Sequence, residues 1–307
     1  MSTQNLGYAC INMTLSDVPA KRKVTTNRTM IRKTFDERGI NYAAQLAEQN
    51  FVDLYKILQW NTANGIGFYR MSSDMFPWAS EYGVANLPNI ERVAALLRKC
   101  GEYAISTNQR LSFHPGPFNK LTSSNPSVTE NTIKDLTVHA DILDLMGLSR
   151  THYNKINIHV GATYKNKPMA VEQFLRNFEL LEDKIRSRFT LENDDKESLY
   201  TTEELYNLVY KHTNIPIVFD YHHHKLNNGG MPEKDALEIA ISTWQNIKPV
   251  VHYSESRSEE QGIKCPAQAH SDYVYKRIDT YGHDVDIMIE AKMKELALFK
   301  YRELHSI

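Results

Sequence analysis

Side chains that bind metal ions or transfer protons recur at the ends of short apolar segments along this 307-residue chain. The residues at these places are His114, His159, Glu192, Asp220, the run from His222 to His224, His252 and Glu290. A single histidine at a strand end is more often a hydrogen-bonded core residue than a ligand. A carboxylate or imidazole after nearly every strand is hard to explain by packing, so we interpret the set as one site.

Carboxylates gathered in one partly buried place need a counter-charge, because burial disfavours their ionised form. Divalent cations supply that charge, and mixed imidazole and carboxylate donors suit Mn²⁺, Zn²⁺ or Fe²⁺ better than the oxygen-only cages of Mg²⁺ or Ca²⁺. The donors outnumber the needs of one ion, so the pattern predicts a cluster of two or three. Such clusters polarise phosphoryl oxygens and lower the pKa of water. A sugar isomerase or a metallo-amidohydrolase could use the same donors.

The elements that must position these residues are short β-like runs alternating with longer amphipathic stretches, which is typical of βα units on a parallel sheet. The predicted strands cover residues 6–11, 66–71, 110–114, 155–160, 189–193, 216–221, 249–253 and 286–291. The predicted helices cover residues 42–63, 88–106, 126–147, 168–187, 202–212, 232–246, 270–281 and 293–304. The alternation predicts an α/β fold, a (β/α)8 TIM barrel that forms a single domain over residues 1–307. In a barrel, all strands end at one mouth, where active sites of this fold lie. An open doubly wound sheet is the alternative.

Composition excludes several classes of protein. No apolar run approaches the ~20 residues that a membrane span needs, and the first residues lack the pattern of a secretory leader. The three cysteines, Cys10, Cys100 and Cys265, form no CxxC pair, which argues against a disulfide scaffold. Lys and Arg total 36 against 37 Asp and Glu, so overall charge does not hold this chain to nucleic acid. We expect a cytoplasmic protein, nucleoid-associated if prokaryotic, that is not secreted.

Two predicted connections are long, residues 12–41 and 254–269, and loops of that length are often functional. The first contains the basic run Lys21, Arg22 and Lys23, followed by Arg28. These charges are either a solvated surface or a set of contacts to phosphate groups.

Nine short segments, in order along nearly the whole chain, resemble the UV damage endonuclease family, which is related to endonuclease IV. They are LGYACIN (6–12), TTNR (25–28), RMSSD (70–74), LSFHPG (111–116), LEND (191–194), VFDYHH (218–223), VHYS (251–254), QAH (268–270) and IEAK (289–292). The resemblance implies a (β/α)8 barrel that cuts DNA immediately 5′ to cyclobutane pyrimidine dimers and 6-4 photoproducts, with a cluster of divalent metals, usually manganese.

The metal ligands implied by the resemblance are His114, His159, Glu192, Asp220, His223, His252, His270 and Glu290. Strand alternation alone would pair Asp220 with His222, because those two residues share a face. The resemblance favours His223 instead, which requires a sharp turn after Asp220, and His222 stays the alternative.

The chain departs from the family at two places near the expected metals. Asp74 stands where some members carry histidine, and we expect it to bind a metal ion through its shorter, charged side chain. Val250 stands where some members carry a modified lysine, and Lys248 is the nearest lysine on the same face. The number or geometry of the metal ions could therefore differ from that of the family.

Contacts to DNA are also implied by the resemblance. Pro117 and Phe118 occupy the positions of two residues, commonly Gln and Tyr, that the family inserts into the duplex at the lesion. An apolar wedge of this kind can unstack a base step. Tyr8 and Asn12 resemble residues that contact the flipped lesion, although a core aromatic is the alternative for Tyr8. Arg28 and Arg70 complete the expected DNA-binding set.

The function predicted from these residues is repair of double-stranded DNA containing UV lesions, by a monomer that needs no protein partner. Glu192, Asp220, His252, Glu290 and Lys292 are the predicted catalytic residues, although Lys292 and Arg70 could instead form buried ion pairs. Mn²⁺ is the expected cofactor, with Zn²⁺ or Mg²⁺ as alternatives. The alternative functions are an apurinic-site endonuclease, a metal-dependent sugar isomerase and a catalytically inactive DNA-binding module.

Overall fold

Eight parallel strands form the core of the computed structural model, which describes residues 5–307. They are β1 (Leu6–Ala9), β2 (Phe68–Arg70), β3 (Arg110–Ser112), β4 (Ile156–Ile158), β5 (Phe189–Glu192), β6 (Ile217–Asp220), β7 (Val250–Tyr253) and β8 (Asp286–Ile289). Hydrogen-bonded neighbours follow the order β3-β2-β1-β8-β7-β6-β5-β4. A parallel bridge between Phe113 and Ile156 joins the two outer strands and closes the barrel. The predicted (β/α)8 barrel is therefore confirmed, and the open sheet is not formed.

Helices alternate with the strands on the outside of the barrel. They are α1 (Met13–Ser16), α2 (Arg32–Ala63), α3 (Ala79–Tyr82), α4 (Ile90–Ser106), α5 (Pro126–Leu145), α6 (Lys167–Phe178), α7 (Asp183–Arg186), α8 (Thr202–Leu205), α9 (Lys211–Thr213), α10 (Tyr221–Leu226), α11 (Glu233–Ser242), α12 (Arg257–Gln261) and α13 (Lys294–His305). A π-helical turn, Tyr206–Tyr210, joins α8 to α9. None of these helices, which all lie within residues 5–307, is long and apolar enough to cross a membrane.

Several predicted helices differ from the structure in where they begin, end or divide. The predicted helix 42–63 begins earlier, at Arg32, and Gly39 breaks it with a positive φ of 65°. The predicted helix 168–187 divides into α6 and α7. The short helix α10, directly after β6, has no counterpart among the predicted helices.

The predicted helix 270–281 is wrong, because this segment runs in turns and extended backbone. Carboxylates from the preceding loop accept its backbone N–H groups. Glu260 accepts from Asp272 and Tyr273 at 2.6 and 2.9 Å. Glu255 accepts from Tyr275 and Lys276 at 2.9 and 2.7 Å. These donors are thus satisfied without the hydrogen bonds of a helix.

Alternate residues of each strand point into the barrel, and these inward side chains form three layers. At the N-terminal end of the strands, the buried Arg110 guanidinium pairs with Asp286 at 3.0 Å. The middle layer contains the apolar residues Ala9, Phe68, Val218, Val250 and Met288. The third layer, at the C-terminal mouth, holds the polar residues predicted from the strand ends.

Candidate metal centre

Seven histidine and carboxylate side chains meet at the C-terminal mouth of the barrel, and we call them the mouth cluster. They form three overlapping groups, and within each group the ligand atoms lie within 4.8 Å of one another. The groups are His114 with His159 and Glu192; Glu192 with Asp220 and His223; and Asp220 with His252 and Glu290. The strand ends thus converge as the sequence predicts. Six of these residues lie in the last two positions of a strand or within two residues after it, and His223 lies in α10.

A tight turn after β6 brings His223 beside Asp220. The Asp220 carboxylate caps α10 by accepting a hydrogen bond from the backbone N–H of His223 at 2.8 Å. Helical geometry therefore replaces strand alternation after Asp220, and His223 joins the mouth cluster. His222 is buried next to His270, with ring centroids 5.5 Å apart, and lies outside the three groups.

Glu192 lies at the centre of the mouth cluster. Its Oε2 is 3.2 Å from His114 Nε2 and 3.0 Å from His252 Nδ1. From below, Asn157 Nδ2 donates to the same oxygen at 2.5 Å, and Thr190 donates to Asn157 Oδ1 at 2.8 Å. Burial alone would raise the pKa of Glu192, but the surrounding imidazoles hold it well below its usual value. The central carboxylate is therefore ionised and fixed in orientation.

The other charged groups of the cluster have strongly shifted pKa values. Burial raises the pKa of Asp220 to about 7, and the negative charges of Glu192 and Glu290 add to the effect. Burial lowers the pKa of His159, but Asp194 and the cluster carboxylates outweigh it and raise the pKa to about 10. Both shifts are upward, and they indicate buried negative charge that needs cations close by.

Several buried polar atoms of the cluster and of its neighbour His270 form no hydrogen bond of suitable geometry, although His159 Nδ1 and His252 Nδ1 each lie 3.0 Å from a carboxylate oxygen. They are Glu192 Oε1, Asp220 Oδ2, His159 Nδ1, His252 Nδ1 and His270 Nδ1. Buried polar atoms are normally paired, and an unpaired set that consists of nitrogen and carboxylate oxygen donors needs an explanation. Divalent cations provide one, because imidazole nitrogen and carboxylate oxygen are the donors that Mn²⁺ and Zn²⁺ accept. The residues present therefore fit a metal cluster.

Two further predicted ligands lie at the edge of the cluster. His270 pairs with Ser256 in an isolated antiparallel bridge, and its ring centroid is 6.3 Å from that of His223. Asp74 is exposed and lines a cavity of about 600 Å³ that also reaches His114. Neither residue belongs to the three groups found among residues 5–307.

Arg70 and Lys292, the two basic residues predicted to lie near the metals, have different environments. Arg70 is largely buried and forms an ion pair with Glu290, which is the alternative that the sequence left open. Lys292 is exposed, and none of the contacts described for residues 5–307 joins its ammonium group to the cluster. Lys294, two residues further on, is the more buried of the two.

Lys155 is the lysine that reaches the mouth cluster, and the sequence analysis missed it. Its side chain is fully buried, with Nζ 3.2 Å from His252 Nε2, and burial lowers its pKa to about 7. Alternation along the predicted strand 155–160 could have found both Lys155 and Asn157, which share a face with His159. Lys248 instead lies at the opposite end of the barrel, 2.7 Å from Asp284 and 3.2 Å from Asp286.

Tyr8 is a core residue in this structure, which is the alternative that the sequence left open, and its contact with a lesion stays a prediction. Gly7 packs against Phe68, Ala9 lies in the inner layer, and Tyr8 points outward between the barrel and α2. It is fully buried and donates to Asn61 Oδ1 at 2.8 Å.

Asn12 and Arg28 are also engaged within the protein. Asn12 is buried, donates to the Tyr8 hydroxyl at 2.9 Å and caps α1 by accepting from Leu15 N–H. Arg28 pairs with Asp53 on α2 at 2.6 Å. Both residues hold the loop after β1 in place, and their contact with DNA stays a prediction.

Pro117 and Phe118 stand exposed on a ridge beside the cluster, as an inserting wedge requires. The Phe118 ring is 84% exposed, among the most exposed large apolar side chains of residues 5–307. The ridge separates the 600 Å³ cavity from a second cavity of about 430 Å³ that is lined by His159 and His223. His114 borders both cavities, so the ridge divides two approaches to the candidate metal centre.

Comparison with known proteins gives a consistent result. The sequence profile of the family described as UV-endonuclease UvdE matches residues 4–307. A protein named UV DNA damage endonuclease from Bacillus cereus (strain B4264) is 38% identical over 305 residues, which cover 96% of this chain and 92% of the relative. The crystal structure of SacUVDE superposes with a TM-score of 0.86 at 29% identity, covering 99% and 98% of the two chains.

Endonuclease IV from Thermus thermophilus shares the fold, with a TM-score of 0.56 at 14% identity and coverage of 98% of this chain and 99% of that one. At this identity, the likeness concerns the barrel alone. The family is shown by the profile match over nearly the whole chain and by the relative from Bacillus cereus. The mouth cluster is consistent with that family. This chain is a member of the UV-endonuclease UvdE family.

Proposed function

We propose that this protein is a metal-dependent DNA repair endonuclease that cuts double-stranded DNA at UV photoproducts. The cut falls at the phosphodiester immediately 5′ to a cyclobutane pyrimidine dimer or a 6-4 photoproduct and leaves a 3′-hydroxyl and a 5′-phosphate. The observation that carries the proposal is the mouth cluster, in a chain whose relatives are named UV DNA damage endonucleases. A buried set of imidazoles and carboxylates at an open barrel mouth suits phosphodiester hydrolysis.

The mouth cluster would hold two or three divalent ions, with His270 and Asp74 completing the coordination from the edge. We propose Mn²⁺ as the ion, with Zn²⁺ or Mg²⁺ as alternatives, because the donors mix imidazole with carboxylate. When bound, such ions stabilise charge on phosphoryl oxygens and lower the pKa of water.

Residues of the chain supply the rest of the chemistry. Glu192, Asp220, His252 and Glu290 would surround the scissile phosphate, and Asn157 keeps Glu192 in one orientation. Arg70, held by Glu290, would offer positive charge to the phosphoryl oxygens on which negative charge develops. The exposed Lys292 would contact a neighbouring phosphate of the DNA.

DNA would reach this centre across the ridge of Pro117 and Phe118. Insertion of the Phe118 ring unstacks a base step, and a damaged step that stacks poorly costs less to open. The exposed Lys21, Arg22 and Lys23 would contact phosphate groups, so affinity should fall as salt rises. Since one chain provides the whole mouth cluster, we propose that a monomer is active, in the cytoplasm where bacterial DNA lies.

A plasmid assay tests this function. Purified protein with Mn²⁺ or with EDTA is mixed with UV-irradiated supercoiled plasmid, and unirradiated and abasic plasmids run alongside. We expect nicks only in irradiated plasmid, only without EDTA, and with 3′ ends that a DNA polymerase extends. A duplex with one cyclobutane dimer at a known position then locates the cut on a sequencing gel.

The variant Glu192→Gln should reduce incision by more than about 100-fold, because it removes the central charge of the cluster. Glu197→Gln is its matched control, since Glu197 is exposed on the loop that follows the same strand. Nicking confined to abasic plasmid would assign the protein to apurinic-site repair instead. No nicking of any plasmid by metal-loaded protein would refute the endonuclease proposal, and turnover of a ketose or aldose would then favour a sugar isomerase.

A further inference from the structure

Tyr164 is a second exposed aromatic residue at the barrel mouth. Its ring is 60% exposed, and it takes part in no hydrogen bond or ring contact described for residues 5–307. Tyr164 and Lys165 both have left-handed backbone, with φ of 47° and 60°. Bulky residues rarely adopt this conformation, and strain of this kind is concentrated at functional sites. The chain thus holds a large, mostly exposed ring in a backbone conformation that carries a conformational cost.

The turn that carries Tyr164 lies beside the candidate metal centre. It begins five residues after His159, in the connection between β4 and α6. A Cβ atom at Gly161 would lie 3.1 Å from Thr122 Oγ1 and 3.9 Å from Lys120 Cγ, so this connection packs against the loop that also carries Phe118. The 430 Å³ cavity lies between these loops and is bordered by Pro117, Lys120, His159 and Gly161.

Charges of both signs border this cavity: Lys120 and Lys196, and the carboxylates of Asp194 and Asp195, of which Asp194 lies 3.0 Å from His159 Nδ1. Lys120 and Lys165 are exposed and belong to none of the ion pairs described for residues 5–307. Exposed aromatic rings interspersed with free lysines are typical of surfaces on which nucleic-acid bases stack while the cations meet phosphate groups. An apolar patch around Tyr164 would favour a protein partner. Its neighbours in sequence are instead charged or polar: Thr163, Lys165, Asn166 and Lys167.

We propose that Tyr164 stacks on a nucleobase that leaves the base stack when DNA is opened at the mouth. This inference rests on the proposed function, which supplies the DNA, and it adds a specificity-determining residue on the β4 side of the ridge. Phe118 opens the duplex, and Tyr164 receives a base that has become unpaired. Intact duplex offers no such base, so Tyr164 contributes to binding of opened DNA alone.

Single-turnover incision by the metal-loaded protein tests the proposal. The substrate is a short duplex with one cyclobutane thymine dimer, and the protein concentration for half-maximal rate and the maximal rate are both measured. The variant is Tyr164→Asn, because asparagine tolerates left-handed backbone while the ring is removed. We expect the half-maximal concentration to rise about ten-fold, with little change in the maximal rate. Tyr164→Phe and Tyr164→Trp should restore it, since either ring can stack.

Fluorescence anisotropy with the same duplex lacking the dimer measures binding of intact DNA. Tyr164→Asn should leave this affinity within about two-fold of the native protein, because only backbone phosphates are in contact. Tyr275→Asn is the matched control, since Tyr275 is 48% exposed but lies beside the last turn of α13, where its carbonyl contacts His305.

Three outcomes would overturn the inference: no change in half-maximal concentration, an equal loss of affinity for intact duplex, or an equal loss in Tyr275→Asn. Native protein that incises the dimer while Tyr164→Asn behaves identically would refute the stacking role alone. Native protein that cuts no damaged DNA would refute the proposed function.

Discussion

At the scale of single residues, Asp220 combines two roles that can be separated. Its carboxylate caps α10, and its charge contributes to the mouth cluster. Asparagine is as good a helix cap as aspartate, whereas alanine is not. A pair of substitutions at this position therefore distinguishes loss of charge from loss of the turn.

Asp220→Asn should keep the fold and lose bound metal. We expect metal content, measured by mass spectrometry after gel filtration, to fall by at least one ion per chain, and incision to fall by more than about 100-fold. Thermal unfolding of the metal-free variant should stay close to that of the metal-free native protein. Asp220→Ala, which also removes the cap, should unfold at a lower temperature than Asp220→Asn. Full metal content in Asp220→Asn would show that Asp220 is not a ligand.

The buried Lys155 leads to a prediction about how stability depends on pH. Its pKa is about 7 in the folded protein, lowered by burial from an ordinary value of 10.5. Between these two pH values, the unfolded chain holds a proton that the folded chain lacks, so this group's contribution to stability rises with pH. The penalty for burying Lys155 is complete below about pH 7 and disappears above pH 10.5.

Lys155→Met should therefore raise the unfolding temperature of the metal-free protein at about pH 7, and the gain should shrink as pH rises toward about 10. Thermal melts of both proteins across this range, in EDTA, measure the difference. Lys165→Met, at an exposed position, is the control and should show no such trend. A gain that is independent of pH would contradict the burial argument.

At the scale of elements, close approach of helices constrains the outer layer. Gly101 lies on α4 where a Cβ atom would be 1.8 Å from the backbone oxygen of Met146, just beyond α5. Alanine is normally the better helix former, so a surface argument would predict stabilisation by Gly101→Ala. The backbone contact reverses the sign, because two helices would have to separate.

We expect Gly101→Ala to lower the free energy of unfolding by about 1–3 kcal/mol, as overpacking usually does. Chemical denaturation measures this quantity. Glu102→Ala, one residue along the same helix but exposed, should change it by less than about 0.5 kcal/mol. If Gly101→Ala were as stable as the native protein, α4 and α5 would not pack as closely as described.

At the scale of the whole molecule, the mouth cluster concentrates unpaired charge at one end of the barrel. The opposite end is closed by Arg110 and Asp286, and the apolar layer between them separates the two charged regions. Folding of the metal-free protein thus brings together carboxylates and imidazoles that only a bound cation can fully satisfy. Metal binding and stability should therefore be strongly linked.

Addition of Mn²⁺ to EDTA-treated protein should raise the unfolding temperature in a saturable way. The stabilisation follows from binding to the folded state alone and amounts to about 2.7 kcal/mol at a free ion concentration about 100 times the dissociation constant. Differential scanning calorimetry at several Mn²⁺ concentrations measures it, and Asp220→Asn should show a smaller shift. A native protein indifferent to both Mn²⁺ and EDTA would argue against any metal at this site.

The sequence by itself determined the barrel and the place of its site. Parallel strands end at one mouth, so donors such as Glu192 and His252 had to converge once the alternation of strands and helices was recognised. The nine segments that resemble the UV damage endonuclease family also indicated the family, because they occur in order over nearly the whole chain. Alternation within strand 155–160 even contained the signal for Lys155, although a lysine in a barrel interior is unusual enough to be overlooked.

Only the tertiary structure decided which way Tyr8 faces, where the chain turns after Asp220 and why residues 270–281 form no helix. Each depends on a partner elsewhere in the chain or on a turn that periodicity does not reveal. Gly7 lies against Phe68, which turns Tyr8 toward α2. The carboxylates of Glu255 and Glu260 accept the N–H groups that a helix would have used, because folding brings them within hydrogen-bond distance. Local sequence patterns report intrinsic preference, whereas these outcomes depend on hydrogen bonds and contacts that exist only after the chain has folded.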